Sequence, residues 1–152
     1  MKRYCYLFLF LLFYFVSCRS KDNPTPGKSE NSIDAARNFI RAALDGRFTE
    51  ARTFMLRDSV NTNYMDVAER SYQKAEQSTK DGYRVASINI IRVTDPVKDS
   101  VTVVIYSNSF KNDHDTLKVV KTKGQWLVDL KYLYEHDGDT LQHKEFINDK
   151  IK

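Results

Sequence analysis

The chain has 152 residues, and its 24 Lys and Arg against 20 Asp and Glu give a net charge of +4 at pH 7. This length fits one domain of ordinary size with flanking segments. Charges of both signs are interspersed without a basic run, which argues against a nucleic-acid-binding protein.

The first eighteen residues have the layout of a bacterial lipoprotein signal. Lys2 and Arg3 precede an apolar run at residues 4–16, which is shorter than the roughly 20 residues that a membrane-spanning helix needs. The run ends in FVSC at residues 15–18, which resembles a lipobox, the motif in which the peptidase cuts just before a cysteine that carries diacylglycerol. We expect residues 1–17 to be the signal peptide and Cys18 to attach the chain to the bilayer. An ordinary secretory signal and a short uncleaved anchor are the alternatives.

The cysteines and the residues after the signal agree with this expectation. Cys5 lies within the signal, so the mature chain keeps Cys18 alone and has neither a disulfide nor a cysteine-based metal site or nucleophile. Residues 19–31 contain two prolines and a glycine but no large apolar residue. They predict that residues 18–31 are a lipidated cysteine and flexible tether, followed by a domain at residues 32–134.

Three helical segments come first in this domain. Asn31 or Ser32 can cap the first helix, and Gly46 suits the left-handed position after it. Thr49 can cap a short second helix, and a third helix is expected to end near residues 80–82. The third helix carries an apolar stripe that we expect to face a sheet. The stripe consists of Val60, Tyr64, Val67, Ala68, Tyr72 and Ala75.

The hydrophobic period then changes. Segments rich in β-branched residues follow at residues 83–94, 99–110, 115–122 and 125–134, separated by short turns. Helices followed by strands predict an α+β fold, with N-terminal helices packed on a curved antiparallel sheet of four or more strands. Residues 135–152 form a C-terminal extension, in which Asp-Gly at 137–138 favours a hairpin. A fifth strand, a short helix and a loose tail remain open for it.

Three features of residues 32–134 resemble the nuclear-transport-factor-like superfamily of cone-shaped, cystatin-like α+β domains, and especially its small bacterial lipoproteins of unknown function. LDGRFTEA at residues 44–51 is similar to the helix–helix corner of that family, although Arg47 replaces an acidic residue. KTKGQWLVD at residues 121–129 is similar to its closing strand. The strand pair after the helices is the third feature. The resemblance implies a cone-shaped fold, and none of its motifs is catalytic.

Ketosteroid-isomerase-like members of that superfamily use a carboxylate and a tyrosine inside the cone. The candidate cone-lining residues here are Tyr64, Tyr72, Tyr106 and Trp126. We expect the tyrosines to be core residues with their hydroxyls at the rim, and Trp126 to fill the core. Asp129 alternates away from the Trp126 face, so a catalytic carboxylate inside the cone is not expected.

Motifs of other chemistries are absent from the sequence. His114 is expected in a turn, and His136 and His143 lie in the C-terminal extension without metal-ligand spacing. There is no nucleophile elbow, phosphate loop or dinucleotide fingerprint. The sequence therefore predicts neither a metal site nor a cofactor.

Two function classes remain. The first is a non-enzymatic lipoprotein of the cell envelope, expected at the outer membrane, that binds a protein or a small apolar ligand. The alternative is a small cone-fold enzyme of the isomerase or dehydratase type. A buried, unpaired carboxylate or histidine in the cone would favour the enzyme, whereas a cone filled by Phe, Tyr and Leu would favour the binding module.

A further expectation concerns the sheet. Both alternating sets of the second strand are apolar, with Val101, Val103 and Ile105 on one face and Val104 and Tyr106 on the other. Helices can cover only one face of a single sheet, and an exposed apolar face usually marks an interface. A homodimer that packs sheet to sheet is the simplest prediction. Folding of the C-terminal extension over that face is the alternative.

Overall fold

The computed structural model describes residues 27–135. Cys18, the predicted signal peptide and residues 136–152 of the predicted extension lie outside the described residues. The elements in chain order are α1 (Ser32–Leu44), α2 (Phe48–Ala51), a 3₁₀ helix (Arg52–Phe54), α3 (Ser59–Lys74), α4 (Gln77–Val85), β1 (Ile88–Val97), β2 (Val101–Asn108), β3 (His114–Thr122), β4 (Gln125–Asp129) and α5 (Lys131–Glu135).

The order of these elements confirms the predicted α+β class. The strands form one antiparallel sheet in the order β1-β2-β3-β4, which is the predicted meander. At the β4 edge of the sheet, Met55 pairs with Val128 in a parallel bridge. The backbone N–H of Leu56 donates to the Val128 carbonyl over 2.9 Å. The segment after the 3₁₀ helix therefore occupies the free edge of β4 at Val128.

Helix α1 begins and ends as its sequence predicts. The Asn31 side chain accepts a hydrogen bond from the backbone N–H of Asp34 over 2.9 Å, which satisfies one of the free donors of the first turn. The chain leaves the helix at Gly46, whose φ is +73°. The buried face of α1 consists of Ala35, Ala36, Phe39, Ile40 and Ala42.

Helix α3 faces the core with only part of the predicted stripe, since Tyr64, Ala68 and Tyr72 pack against the core. Asn61 and Met65 are buried, whereas Val60 and Val67 of the predicted stripe are 43% and 46% exposed. The reason is that hydrogen bonds hold the Asn61 amide against the end of β4, and this turns the first half of the helix. A hydrophobicity pattern treats asparagine as an exposed residue, so it cannot predict that Asn61 faces the core.

The third predicted helix is two helices. Helix α3 ends at Lys74, and Ala75 and Glu76 are extended, with ψ of 151° and 154°. Helix α4 then includes residues 80–82, which were expected to end a helix, as well as Tyr83 and Val85, which were expected in the first strand. The prediction was wrong here because Gly82 is a mid-helix residue and not a helix end.

The core lies between the helices and one face of the sheet. The sheet contributes Val104, Leu117, Val119 and Val128, each with 0% exposure, and the 3₁₀ helix contributes Phe54. Trp126 packs at the margin of this cluster and is half-buried. The predicted last strand ends early, at Asp129, because residues 131–135 turn into α5.

The other face of the sheet is less uniformly apolar than β2 alone suggests. Its β2 side chains, Val101, Val103 and Ile105, are half-buried. On β3 they lie opposite Val120, Lys118 and Thr116 respectively. The homodimer through this face and the alternative cover by the C-terminal extension stay predictions.

Candidate binding cavity

A cavity of about 510 Å³ lies between α1, α3, α4 and the end of the sheet where β2 turns into β3. Its volume is within the range of roughly 300–1,000 Å³ that small-molecule sites occupy. Its apolar floor is made by Phe39, Ile40, Ala43, Leu44, Phe48 and Ala68. Its polar lining residues, here called the rim, are Ser71, Thr79, Asn108, Lys111, Asp113 and Asp115.

The space between the helices follows from the small residues on their facing sides. Ala43 on α1 and Ala68 on α3 both line the cavity. Longer side chains at these positions would fill the gap that the neighbouring Phe39 and Phe48 leave open. The helical spacing of Phe39, Ile40, Ala43 and Leu44 places all four on the same side of α1.

Four aromatic rings form a continuous row, and three of them, Phe48, Tyr72 and Tyr83, line the cavity. Phe48 meets Tyr72 edge to face with 5.4 Å between ring centroids. Tyr72 stacks on Tyr83 at 6.4 Å, and Tyr83 meets Phe110 edge to face at 5.2 Å. Such pairs favour fixed ring orientations. The row, Phe48–Tyr72–Tyr83–Phe110, therefore links α2, α3, α4 and the turn after β2 through ring contacts.

Charges surround the open end of the cavity. The Lys111 ammonium lies 5.7 Å from the centroid of the Tyr83 ring, and the Lys80 ammonium lies 6.0 Å from that of Tyr72. The side-chain hydrogen bond between Lys111 and Tyr83 is the largest cause that raises the pKa of Lys111, and the nearby charges of Asp113 and Asp115 add to it. The rim therefore combines one firmly protonated amine with two carboxylates.

The predicted cone-lining residues divide into two groups. Tyr72 and Tyr106 line the cavity. Tyr64 and Trp126 are half-buried against the core outside the lining, and Trp126 lies under the Lys121 ammonium at 5.3 Å. The structure thus brings Tyr72 and Tyr106 together and leaves the Trp126 indole on the edge strand β4.

Sequence reasoning missed Tyr83 as a lining residue because it placed this tyrosine in a strand. The signal was present, since Tyr72, Ala75, Thr79 and Tyr83 recur at helical spacing and all four line the cavity. The extended residues between α3 and α4 interrupt the helix, but Tyr72 before them and Thr79 and Tyr83 after them still line the same cavity.

Asp129 shows that the predicted alternation does not determine burial. It lies on the sheet face opposite Trp126, as expected, yet it is only 7% exposed. Its Oδ1 accepts hydrogen bonds from the Asn61 amide and the Lys131 backbone N–H, both over 3.3 Å, and the Lys118 ammonium lies 3.7 Å from Oδ2. These contacts give Asp129 a structural role away from the cavity.

The described part of the chain has neither a cluster of metal ligands nor a membrane-spanning helix. Between residues 27 and 135, no three His, Cys, Asp or Glu side chains are placed to hold a metal ion. No helix in this range is both long and apolar enough to cross a membrane. His114 is exposed and begins β3, although the sequence placed it in a turn.

Comparison with known proteins found no matching family model, no matching curated protein and no matching solved structure.

Proposed function

We propose that this protein is a lipid-anchored cell-envelope module of the nuclear-transport-factor-like kind that binds a small amphipathic molecule without transforming it. The observation that carries the binding function is the cavity of about 510 Å³ with its apolar floor and charged rim. Sites for small molecules combine these two features, because apolar walls provide affinity and a few polar groups orient the ligand.

The arrangement of the lining defines the kind of ligand. The floor, from Phe39 to Phe48 along α1 and α2, offers aliphatic and aromatic surface for an apolar body. Tyr72, Tyr83 and Tyr106 add rings that pack well against a flat ligand. Lys111, Asp113 and Asp115 supply the charged groups of the lining. A ligand with an apolar body and a polar end at the opening suits this lining best.

The position of the carboxylates supports binding over catalysis. Asp113 is exposed and Asp115 is half-buried, so both lie where water can reach them. A carboxylate general base for neutral pH usually sits in an apolar environment that raises its pKa. The carboxyl groups among the described lining residues are those of Asp113 and Asp115.

One observation favours the alternative, an enzyme of the isomerase type. Tyr106 and Asp115 lie directly opposite each other on β2 and β3, and both line the cavity. A carboxylate beside a tyrosine could move a proton next to a carbonyl group. Conversion of a β,γ-unsaturated ketone to its conjugated isomer, followed by absorbance and abolished in Asp115→Asn, would establish this alternative against simple binding.

The binding function predicts that a bulky side chain at the cavity mouth blocks a ligand. Ser71 lines the cavity near the end of α3, and its exposed neighbour Arg70 does not. In Ser71→Trp, we expect the purified full-length protein to bind 8-anilinonaphthalene-1-sulfonate about tenfold or more weakly, which is a loss of about 1.4 kcal/mol. Fluorescence titration against a detergent blank measures the affinity.

Arg70→Trp is the matched control, because it adds the same indole one residue away from the lining. It should bind the dye as the unmodified protein does. Equal affinity in all three proteins would contradict binding in the cavity. Native mass spectrometry of the unmodified protein then shows whether a small molecule co-purifies and gives its mass.

The proposed membrane anchor leads to a prediction about acylation, in which labelling is either present or absent. The apolar run at residues 4–16 and the lipobox-like ending at residues 15–18 support acylation of Cys18. Cys18→Ser should abolish incorporation of labelled palmitate and release the protein from the outer-membrane fraction or leave it uncut. Cys5→Ser is the control and should keep full labelling. Labelling that persists in Cys18→Ser would exclude this anchor.

A further inference from the structure

We infer that α4 is a movable wall of the cavity, that the Arg41 guanidinium holds it closed, and that its opening admits the ligand. The inference deepens the proposed function and rests on it for what enters the cavity. The opening of α4 itself needs no ligand, and it can be measured separately.

Helix α4 buries fewer residues than α1 and α3 do. None of its nine residues is buried, and Val85 at its end is 83% exposed. Extended residues bound it on both sides, namely Ala75 and Glu76 before it and Ala86, with ψ of 135°, after it. Segments with little burial open at low free-energy cost, and short extended joints at both ends can absorb the movement.

The position of α4 connects this mobility to the cavity. Thr79 and Tyr83 of α4 line one side of it. The opposite sides belong to elements that contribute to the core, such as Phe39 and Ile40 of α1 and Tyr106 of β2. Movement of α4 alone would therefore widen the cavity while the core stays packed.

Arg41 on α1 makes two hydrogen bonds to backbone carbonyls at the end of α4. Its Nη1 donates to the Ala86 carbonyl over 2.8 Å, and its Nη2 donates to the Tyr83 carbonyl over 3.0 Å. The same Nη2 lies 2.9 Å from Oδ1 of Asp45, which orients the guanidinium. Carbonyls at the end of a helix lack partners within the helix, and a planar guanidinium can bind two of them at once.

The closed arrangement also has an unfavourable element. The Nε atom of Arg41 is buried and has no hydrogen-bond partner. A buried donor without a partner loses the hydration that it would have in water. Arg41 therefore holds the helix while one of its own donors stays unpaired.

A second, aromatic attachment lies at the other side of α4. The Phe110 ring packs against the backbone at Gly82, where an added Cβ would collide with ring carbons. The neighbouring Tyr83 meets the same ring edge to face. Phe110 is itself 45% exposed in the turn after β2. This contact is therefore only partly shielded from water.

Hydrogen–deuterium exchange of the purified full-length protein tests the movement. In Arg41→Lys the charge stays but the two-carbonyl fork is lost, so amides of α4 should exchange about tenfold or more faster. Gly82→Ala should act in the same direction through Phe110, although alanine raises intrinsic helix propensity. Amides of α1 and β2 should keep their rates. Arg37→Lys, one turn earlier on the exposed side of α1, is the control.

Stopped-flow mixing with 8-anilinonaphthalene-1-sulfonate then tests whether α4 controls entry. Faster α4 exchange together with a faster association rate in both variants supports the inference. Unchanged α4 exchange, or exchange that rises equally in α1 and β2, overturns it. So does faster α4 exchange with an unchanged association rate. If the unmodified protein and all variants fail to bind the dye, the proposed function fails, and the exchange rates still decide whether α4 opens.

Discussion

Replacement of Asn61 by leucine is expected to lower the free energy of unfolding by about 3–5 kcal/mol, since each buried polar group left unpaired costs about 1–3 kcal/mol. Asn61 is completely buried. Its Oδ1 accepts the backbone N–H of Leu130 over 2.6 Å, and its Nδ2 donates to Asp58 over 2.8 Å and to Asp129 over 3.3 Å. Leucine has a similar volume, so the loss reports these hydrogen bonds more than an empty space.

Asn61 also keeps the Asp58 carboxyl group ionised. The backbone N–H and then the side-chain amide of Asn61 donate to Asp58, with a smaller contribution from Lys131, and they lower the pKa of Asp58 from 3.8 to about 2. Asp58 is also the N-cap of α3. Loss of the amide removes one cause of the lowered pKa and weakens the junction between α3 and the end of β4.

Urea unfolding at constant pH, followed by circular dichroism, measures the change for Asn61→Leu. Asn63→Leu is the matched control, because Asn63 is exposed on the same helix. Such a surface change should alter the free energy of unfolding by no more than about 0.5 kcal/mol. Equal losses in the two variants would show that the buried network does not stabilise the domain.

Replacement of Gly46 by alanine is the second large effect. Gly46 has φ of +73°, and an added Cβ would lie 2.6 Å from Cε1 of Tyr72. Left-handed backbone costs about 1–2 kcal/mol for a residue with a side chain, and forced overpacking adds about 1–3 kcal/mol. Gly46→Ala is therefore expected to lower the free energy of unfolding by about 2–5 kcal/mol.

Gly124→Ala separates the cost of left-handed backbone from the cost of the collision with Tyr72. Gly124 has φ of +78°, close to that of Gly46, but an added Cβ there would meet no atom within 4 Å. Its loss should reflect backbone strain alone, and denaturant unfolding of both variants gives the difference due to Tyr72. Since Tyr72 lines the cavity, Gly46→Ala should also weaken dye binding, whereas Gly124→Ala should not. Identical losses of stability would refute the contact with Tyr72.

Much of the fold could be predicted because it depends on neighbours along the chain. Asn31 caps α1 by bonding to a backbone N–H three residues away, and Gly46 ends it because of its own backbone freedom. The change from helical to alternating periodicity likewise places helices before strands. These features need no information about distant residues.

Tertiary contacts decided which residues form the core and the cavity. Asn61 faces inward because its partners, Asp129 and Leu130, are 68 and 69 residues away in the chain. Tyr83 joins the cavity wall because residues 77–85 form a helix, and Arg41 binds the carbonyl end of that helix 42 and 45 residues further along. A local pattern records the polarity of a side chain, but whether a polar group is buried depends on partners that only the folded chain supplies.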